Sequence, residues 1–213
     1  MNAVLDELLQ RKLLAGMRGH FPPDRALPLC AALVEEGINI FEFTMNSTEP
    51  VAAMQAVKAE LGPQVFCGMG TVLSADDARQ VIEAGADFIV SPAFQPEVVQ
   101  VALDADLLVA PGVMTPSECV QAWDMGVDLL KFFPAGPLGL DYFRALRGPL
   151  RHMRFLANGN INPDNLTGFL DAGAACSGLS GWLTGDGSWP LDEVRARARQ
   201  LLAALQRQSA LAS

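Results

Sequence analysis

Lysine is scarce in this chain of 213 residues: Lys12, Lys58 and Lys131 are the only three. Histidine is scarcer, with His20 and His152 alone, which argues against a histidine-based metal centre. The four cysteines, Cys30, Cys67, Cys119 and Cys176, form no CxxC pair. They read as small buried hydrophobes in a reducing compartment, not as disulfides or zinc ligands. Basic residues number 15 against 24 acidic ones, a net charge of −9. That balance argues against a nucleic-acid partner, which needs a basic surface, though not against a local positive site for a small anion. No apolar run reaches the roughly 18 residues of a membrane span. Met1–Glu7 lacks a secretion signal's charge-then-apolar layout, so no membrane partner and a cytoplasmic location are expected. No glycine-rich nucleotide loop of the GxGxxG or GxxxxGK type is present.

What is present is repetition. Half of the residues are hydrophobic, enough for one substantial core, and no linker divides the chain, so residues 1–213 read as a single domain. Short β-type runs alternate with amphipathic stretches throughout. The runs are Leu13–Arg18, Ile38–Thr44, Val65–Thr71, Phe88–Ser91, Leu107–Pro111, Leu129–Pro134, Arg154–Asn158 and Cys176–Leu179. The seven stretches between them, from Asp24–Glu36 to Pro163–Ala172, read as helices. The sixth, before Arg154, is expected over Leu140–Leu146. Gly37, Gly85, Gly126 and Gly173 each stand where a helix closes before the next run. Ser74 caps a helix opening on Asp76 and Asp77, and Pro116 follows Thr115 at a first helical position. Eight units of roughly 27 residues suit a compact (β/α)8 TIM barrel. The rival, a doubly wound open sheet, normally carries the nucleotide loop that is missing here. Val4–Leu9 and Leu191–Leu205 fall outside the repeat, as amino- and carboxyl-terminal extra helices.

Two of these runs carry a misplaced charge. Lys131 lies in Val127-Asp128-Leu129-Leu130-Lys131-Phe132-Phe133-Pro134, between large hydrophobes. Desolvation there lowers an amine's pKa and enlarges its neutral, nucleophilic fraction. The plainer alternative is a lysine that snorkels to water from a strand end. Glu42 interrupts Ile38-Asn39-Ile40-Phe41-Glu42-Phe43-Thr44, where a carboxylate is costly unless paired or engaged in proton transfer. A barrel places chemistry at the carboxyl ends of its strands. Arg18, Glu42, Thr44, Asn46, Thr71, Pro92, Lys131, Phe133, Asn158 and Ser180 all fall at or beyond such ends, and so converge on one mouth. Lys58, in the amphipathic stretch Val51–Leu61, reads as a solvated charge. His20 reads chiefly as a loop histidine.

Through these residues the sequence resembles the class I aldolases that cleave 2-keto-3-deoxy-6-phosphogluconate, its galactonate epimer and 4-hydroxy-2-oxoglutarate. The resemblance runs from about Leu13 to Leu183. Leu130-Lys131-Phe132-Phe133-Pro134-Ala135 is similar to the family's Schiff-base strand. Phe41-Glu42-Phe43-Thr44 resembles its catalytic glutamate segment. Gly68-Met69-Gly70-Thr71-Val72-Leu73 resembles the segment whose threonine holds the pyruvyl portion. Ser91-Pro92 and Pro111-Gly112 match the turns after the fourth and fifth strands.

The resemblance implies Lys131 as Schiff-base nucleophile, Glu42 as proton shuttle and Thr71 against the pyruvyl carboxylate. Phe133 would pack beside the iminium, or serve simply as barrel core. The iminium is itself the electron sink, so neither metal nor cofactor is implied. Pyruvate and a 2-keto sugar acid are the small-molecule partners, and a homotrimer is the family's assembly. Gluconate-type members carry an arginine where this chain has Asn46. Galactonate-type members carry Asn-Ser, as in Asn46-Ser47, with an arginine ending the first strand, as in Met17-Arg18-Gly19. The implied substrate is therefore of galactonate type, with Arg18 on its carboxylate. The family's phosphate loops, Gly-Gly and Gly-Ser, read here as Asn158-Gly159-Asn160 and Ser180-Gly181. A short or unphosphorylated 2-keto-4-hydroxy acid is the alternative substrate. A phosphate-binding barrel or an isomerase without Schiff-base chemistry is the alternative of another class.

Overall fold

The computed structural model describes the backbone of residues 2–212 and the side chains of residues 2–208. Among the described residues nine parallel strands form one sheet. They are β1 (Leu13–Met17), β2 (Ile40–Thr44), β3 (Phe66–Gly70), β4 (Phe88–Val90), β5 (Leu108–Ala110), β6 (Gly112–Val113), β7 (Leu130–Phe132), β8 (Phe155–Asn158) and β9 (Cys176–Leu179). Their order is β5-β4-β3-β2-β1-β9-β8-β7-β6, and its two ends are consecutive in the chain. The fold is thus a (β/α)8 barrel whose fifth strand is broken into β5 and β6 at Pro111. Proline has no N–H to give to a ladder, so the break falls at the residue least able to continue the pairing. Its carbonyl still accepts the Lys131 N–H at 2.8 Å, which ties the seam to β7.

The helices are α1 (Ala3–Arg11), α2 (Pro23–Glu35), α3 (Pro50–Leu61), α4 (Ala75–Glu83), α5 (Pro96–Asp104), α6 (Pro116–Asp124), α7 (Ala135–Arg147), α8 (Pro163–Asp171) and α9 (Leu191–Ala212). Five open on a proline at the first helical position, where a missing N–H costs nothing. Ser74 accepts the Asp77 N–H at 3.0 Å, and Thr115 closes a capping box with Glu118. Outside the repeat, α1 turns Val4, Leu5 and Leu8 into the barrel's base, against Leu14, Ile40 and Leu156. The strands' other faces pack on the helix ring in a second, larger apolar layer. The bottom is thereby plugged and the carboxyl-terminal mouth is left for polar groups.

Three expectations need correction. The helix before β8 starts at Ala135 and not Leu140, because the turn after Pro134 is already helical and is broken only at Gly139, φ +79°. The last helix continues past Leu205 to Ala212. Lys58 is not a free solvated charge. Its Nζ lies 2.6 Å from Asp87 Oδ1, and Asp87 Oδ2 accepts the Cys67 N–H at 2.8 Å, so the pair pins α3 to the start of β4. The four cysteines are free and buried. Burial pushes the thiols of Cys67, Cys119 and Cys176 up to about 12, which leaves them unreactive core residues.

Candidate active site

The charged side chains of β2 and β7 meet inside the mouth. Lys131 Nζ lies 3.9 Å from Glu42 Oε1, and the two residues are only 5% and 4% exposed. Burial pushes the Lys131 amine below its ordinary pKa, and the positive charge of Arg18 pushes it further. The Glu42 carboxylate opposes both. The direction is the one that frees the lone pair for attack. The ammonium also sits 4.9 Å from the centroid of the Phe133 ring. Glu42 and Thr44 are two apart on β2 and share a face, and Phe133, the residue just past β7, stands two positions from Lys131 and lines the same cavity.

Space around this pair is made by glycine. Across the sheet register Glu42 stands between Gly16 and Gly68, Thr44 beside Gly70, Lys131 beside Gly112 and Asn158 beside Gly178. A Cβ at Gly70 would overlap Glu42 Oε1, and one at Gly178 would overlap the Asn158 amide. The strands' inward positions at this level therefore alternate between a polar side chain and none.

The result is an inner cavity of about 150 Å³ lined by Arg18, Glu42, Asn46, Thr71, Pro92, Lys131, Phe133, Asn158 and Ser180, with Gly16, Thr44 and Leu179. An outer cavity of about 520 Å³ is lined by Gly159, Asn160 and Gly181, with Pro137, Ile161, Asn162 and Trp182 among others. Arg18, Phe133, Asn158 and Ser180 belong to both, so the two are continuous. Every site residue expected from the sequence thus lines one cavity or the other. His20 lines neither; its Nδ1 lies 3.2 Å from Thr48 Oγ1 on the surface. Trp182 and Asn162 were not anticipated. Asn162 was legible as a helix cap before Pro163, and its side chain does accept the Asp164 N–H at 2.8 Å. Trp182 is signalled only by following Ser180-Gly181.

Two non-glycine residues at the site have left-handed backbone. Thr71 has φ +59° and Asn160 φ +56°. Asparagine tolerates this region, whereas a β-branched threonine does so at a cost that the surrounding structure must hold in place. Thr71 directly follows β3, and that conformation belongs to its place in the inner cavity. Among the described residues no three histidine, cysteine, aspartate or glutamate side chains cluster as metal ligands. No helix among them is long and apolar enough to cross a membrane.

Comparison with known proteins gives the chain's family. The family model of KDPG and KHG aldolases matches residues 8–196. The chain is 33% identical over 176 residues to the KHG/KDPG aldolase of Escherichia coli K12, covering 81% of this chain and 79% of that one. A solved structure described as native KDPGal superposes with a TM-score of 0.88 at 29% identity, over 92% of this chain and 95% of that one. The KDPG aldolase of Legionella pneumophila, solved with pyruvate captured as a covalent carbinolamine, gives a TM-score of 0.76 at 25% identity, over 94% and 95%. With a lyase family's model spanning the barrel, the chain is a member of the KDPG/KHG aldolase family.

Proposed function

We propose that the protein, acting through one catalytic domain, is a class I aldolase that cleaves a 2-keto-3-deoxy-6-phospho sugar acid, of galactonate type, to pyruvate and glyceraldehyde 3-phosphate. One observation carries the reading: a buried lysine of lowered pKa lies 3.9 Å from a buried carboxylate in a small cavity at the barrel mouth. The neutral Lys131 amine adds to the C2 ketone, and the carbinolamine loses water to give an iminium. Glu42 takes the proton of the C4 hydroxyl as the C3–C4 bond breaks. The bonding electrons move into the iminium, forming an enamine, and the aldehyde departs. Protonated Glu42 then returns its proton to C3, and water releases pyruvate and regenerates the amine. The iminium serves as electron sink, so the proposed reaction uses no metal. The carbinolamine captured in the Legionella relative supports the same covalent route here.

The inner cavity takes the three-carbon keto-acid portion, with Thr71 and Arg18 against its carboxylate and Phe133 beside the iminium. The outer cavity takes the remainder of the sugar acid, its phosphate met by the loops after β8 and β9 through Asn160, Ser180 and Gly181. The galactonate preference rests on Arg18 reaching both cavities while Asn46 occupies the position of the gluconate-type arginine.

A second reading, 4-hydroxy-2-oxoglutarate or an unphosphorylated analogue, is favoured by one feature. Asn160 brings a side chain to the phosphate loop, and among the described residues no lysine lines the outer cavity. Trapping with pyruvate and borohydride, followed by mass analysis of the Lys131 peptide, tests the chemistry; an unmodified peptide removes it. Specificity constants for phosphorylated and unphosphorylated acids test the substrate. A working phosphate site gives at least about tenfold, or 1.4 kcal/mol, and a ratio near one removes the phosphate. A cytoplasmic homotrimer is part of the same proposal, and a monomer mass by light scattering at micromolar concentration ends it.

A further inference from the structure

The backbone on both sides of Arg18 is tied to one distant hydroxyl. Ser47, in the loop after β2, accepts the Gly19 N–H at 3.0 Å and donates to the Met17 carbonyl at 3.2 Å. Thr44 Oγ1 lies 2.7 Å from Ser47 Oγ and 3.3 Å from the same Met17 carbonyl. With its own proton on the Met17 carbonyl, Ser47 takes both the Gly19 N–H and the Thr44 hydroxyl as donors, which fills its one proton and two lone pairs. The same loop adds the Thr48 N–H to the Gly19 carbonyl at 3.0 Å. On the opposite side of β1, Thr184 Oγ1 donates to the Gly16 carbonyl at 2.6 Å. Arg18 itself is exposed, with no hydrogen bond or ion pair of its own described. The direction in which its side chain leaves the end of β1 is therefore set by its two flanking peptide groups; Ser47 bridges both, and Thr44 is a second donor in reach of the Met17 side alone.

We propose that Ser47 is a positioning residue that aims Arg18 across the junction of the two cavities. Asn46-Ser47 then acts as one unit, in which Asn46 lines the inner cavity while Ser47 directs the guanidinium. The inference rests on the reading of Arg18 as the substrate's anion partner. It explains in hydrogen bonds why an Asn-Ser pair after β2 goes with an arginine at the end of β1: the serine is the part that arginine needs.

The test is a double-mutant cycle with Arg18→Ala, Ser47→Ala and the double variant, assayed on 2-keto-3-deoxy-6-phosphogalactonate. Thermal melts and pyruvate–borohydride trapping are measured alongside. Arg18→Ala is expected to raise KM about a hundredfold, the loss of a charged hydrogen-bonding group. Ser47→Ala is expected to raise KM about tenfold with kcat within about threefold, and the double variant to be no worse than Arg18→Ala. Ser47→Thr, which keeps the hydroxyl, is expected to recover most of the loss. Multiplicative losses in the double variant, or a Ser47→Ala defect in kcat alone, would overturn the inference while leaving Arg18 in place. An unchanged KM in Arg18→Ala would overturn the Arg18 reading and this inference together. Loss of trapping in the wild-type enzyme would instead strike the Schiff-base reading.

Discussion

Gly70→Ala probes the Lys131–Glu42 pair without touching either residue. The added Cβ would overlap Glu42 Oε1 and stand 2.6 Å from both Cδ and Cγ of the same side chain. Ordinary carbon contact begins near 3.4 Å, so the carboxyl group must retreat by roughly 0.8 Å or more. Displacement on that scale costs about a hundredfold in a step that needs the group in place, or about 2.7 kcal/mol of barrier. The same crowding costs about 1–3 kcal/mol of stability, which a domain of this size survives. Coupling released pyruvate to lactate dehydrogenase reads kcat, and a melt reads the fold. The expected result is a folded variant with kcat down about a hundredfold and pyruvate trapping on Lys131 within about tenfold of wild type. Gly148→Ala is the control, because a Cβ there meets only carbonyl oxygens at 3.4 and 3.5 Å. A folded Gly70→Ala enzyme with kcat within about threefold of wild type would refute the reasoning, since the carboxylate's placement would not matter.

Lys131→Ala should abolish both cleavage and trapping. Lys58→Ala should leave kcat/KM unchanged and lower stability by about 0.5–1 kcal/mol, the worth of a half-exposed pair; equal activity losses in the two would point to folding. Glu42→Gln should still trap pyruvate, more slowly, while losing most turnover, because the amide keeps shape but cannot carry the proton; full turnover would end the proton-shuttle role. The trapping rate should rise with pH and level off below the ordinary lysine value of 10.5, because attack needs the neutral amine and Lys131 loses its proton at lower pH than an exposed lysine. A midpoint at 10.5 would mean the amine is not desolvated in solution.

Much of this was legible in the chain because the barrel repeats its local chemistry. Gly37, Gly85, Gly126 and Gly173 each carry positive φ at a helix-to-strand joint, and that punctuation marks the repeat. Lys131 and Glu42 were legible because a charge in an apolar strand is costly enough to need a reason. The continuation past Pro111 was not: the run Leu107–Pro111 stops at the proline, and only pairing with β7 reveals Gly112–Val113 as the rest of the strand that pairs with β4. Ser47 was equally hidden, since an exposed-loop serine looks alike whether it faces water or grips a strand 28 residues away. The partner of Lys58 also lies in a later unit, beyond the reach of a helical-periodicity argument.

The glycines that stand beside Glu42, Thr44, Lys131 and Asn158 in neighbouring strands tie the site to the stagger of the barrel. A strand slipped by one residue exchanges inward and outward side chains along its length. Slipping β3 or β9 against its neighbours would put Met69 or Leu179 where Gly68 or Gly178 now leaves room. The volume of the inner cavity is thus a property of strand alignment, and the stagger cannot drift without closing it. The loops after β8 and β9 are under no such constraint. Changes of substrate within this scaffold are therefore channelled to the outer cavity, while the inner one is held constant by the geometry of the sheet itself.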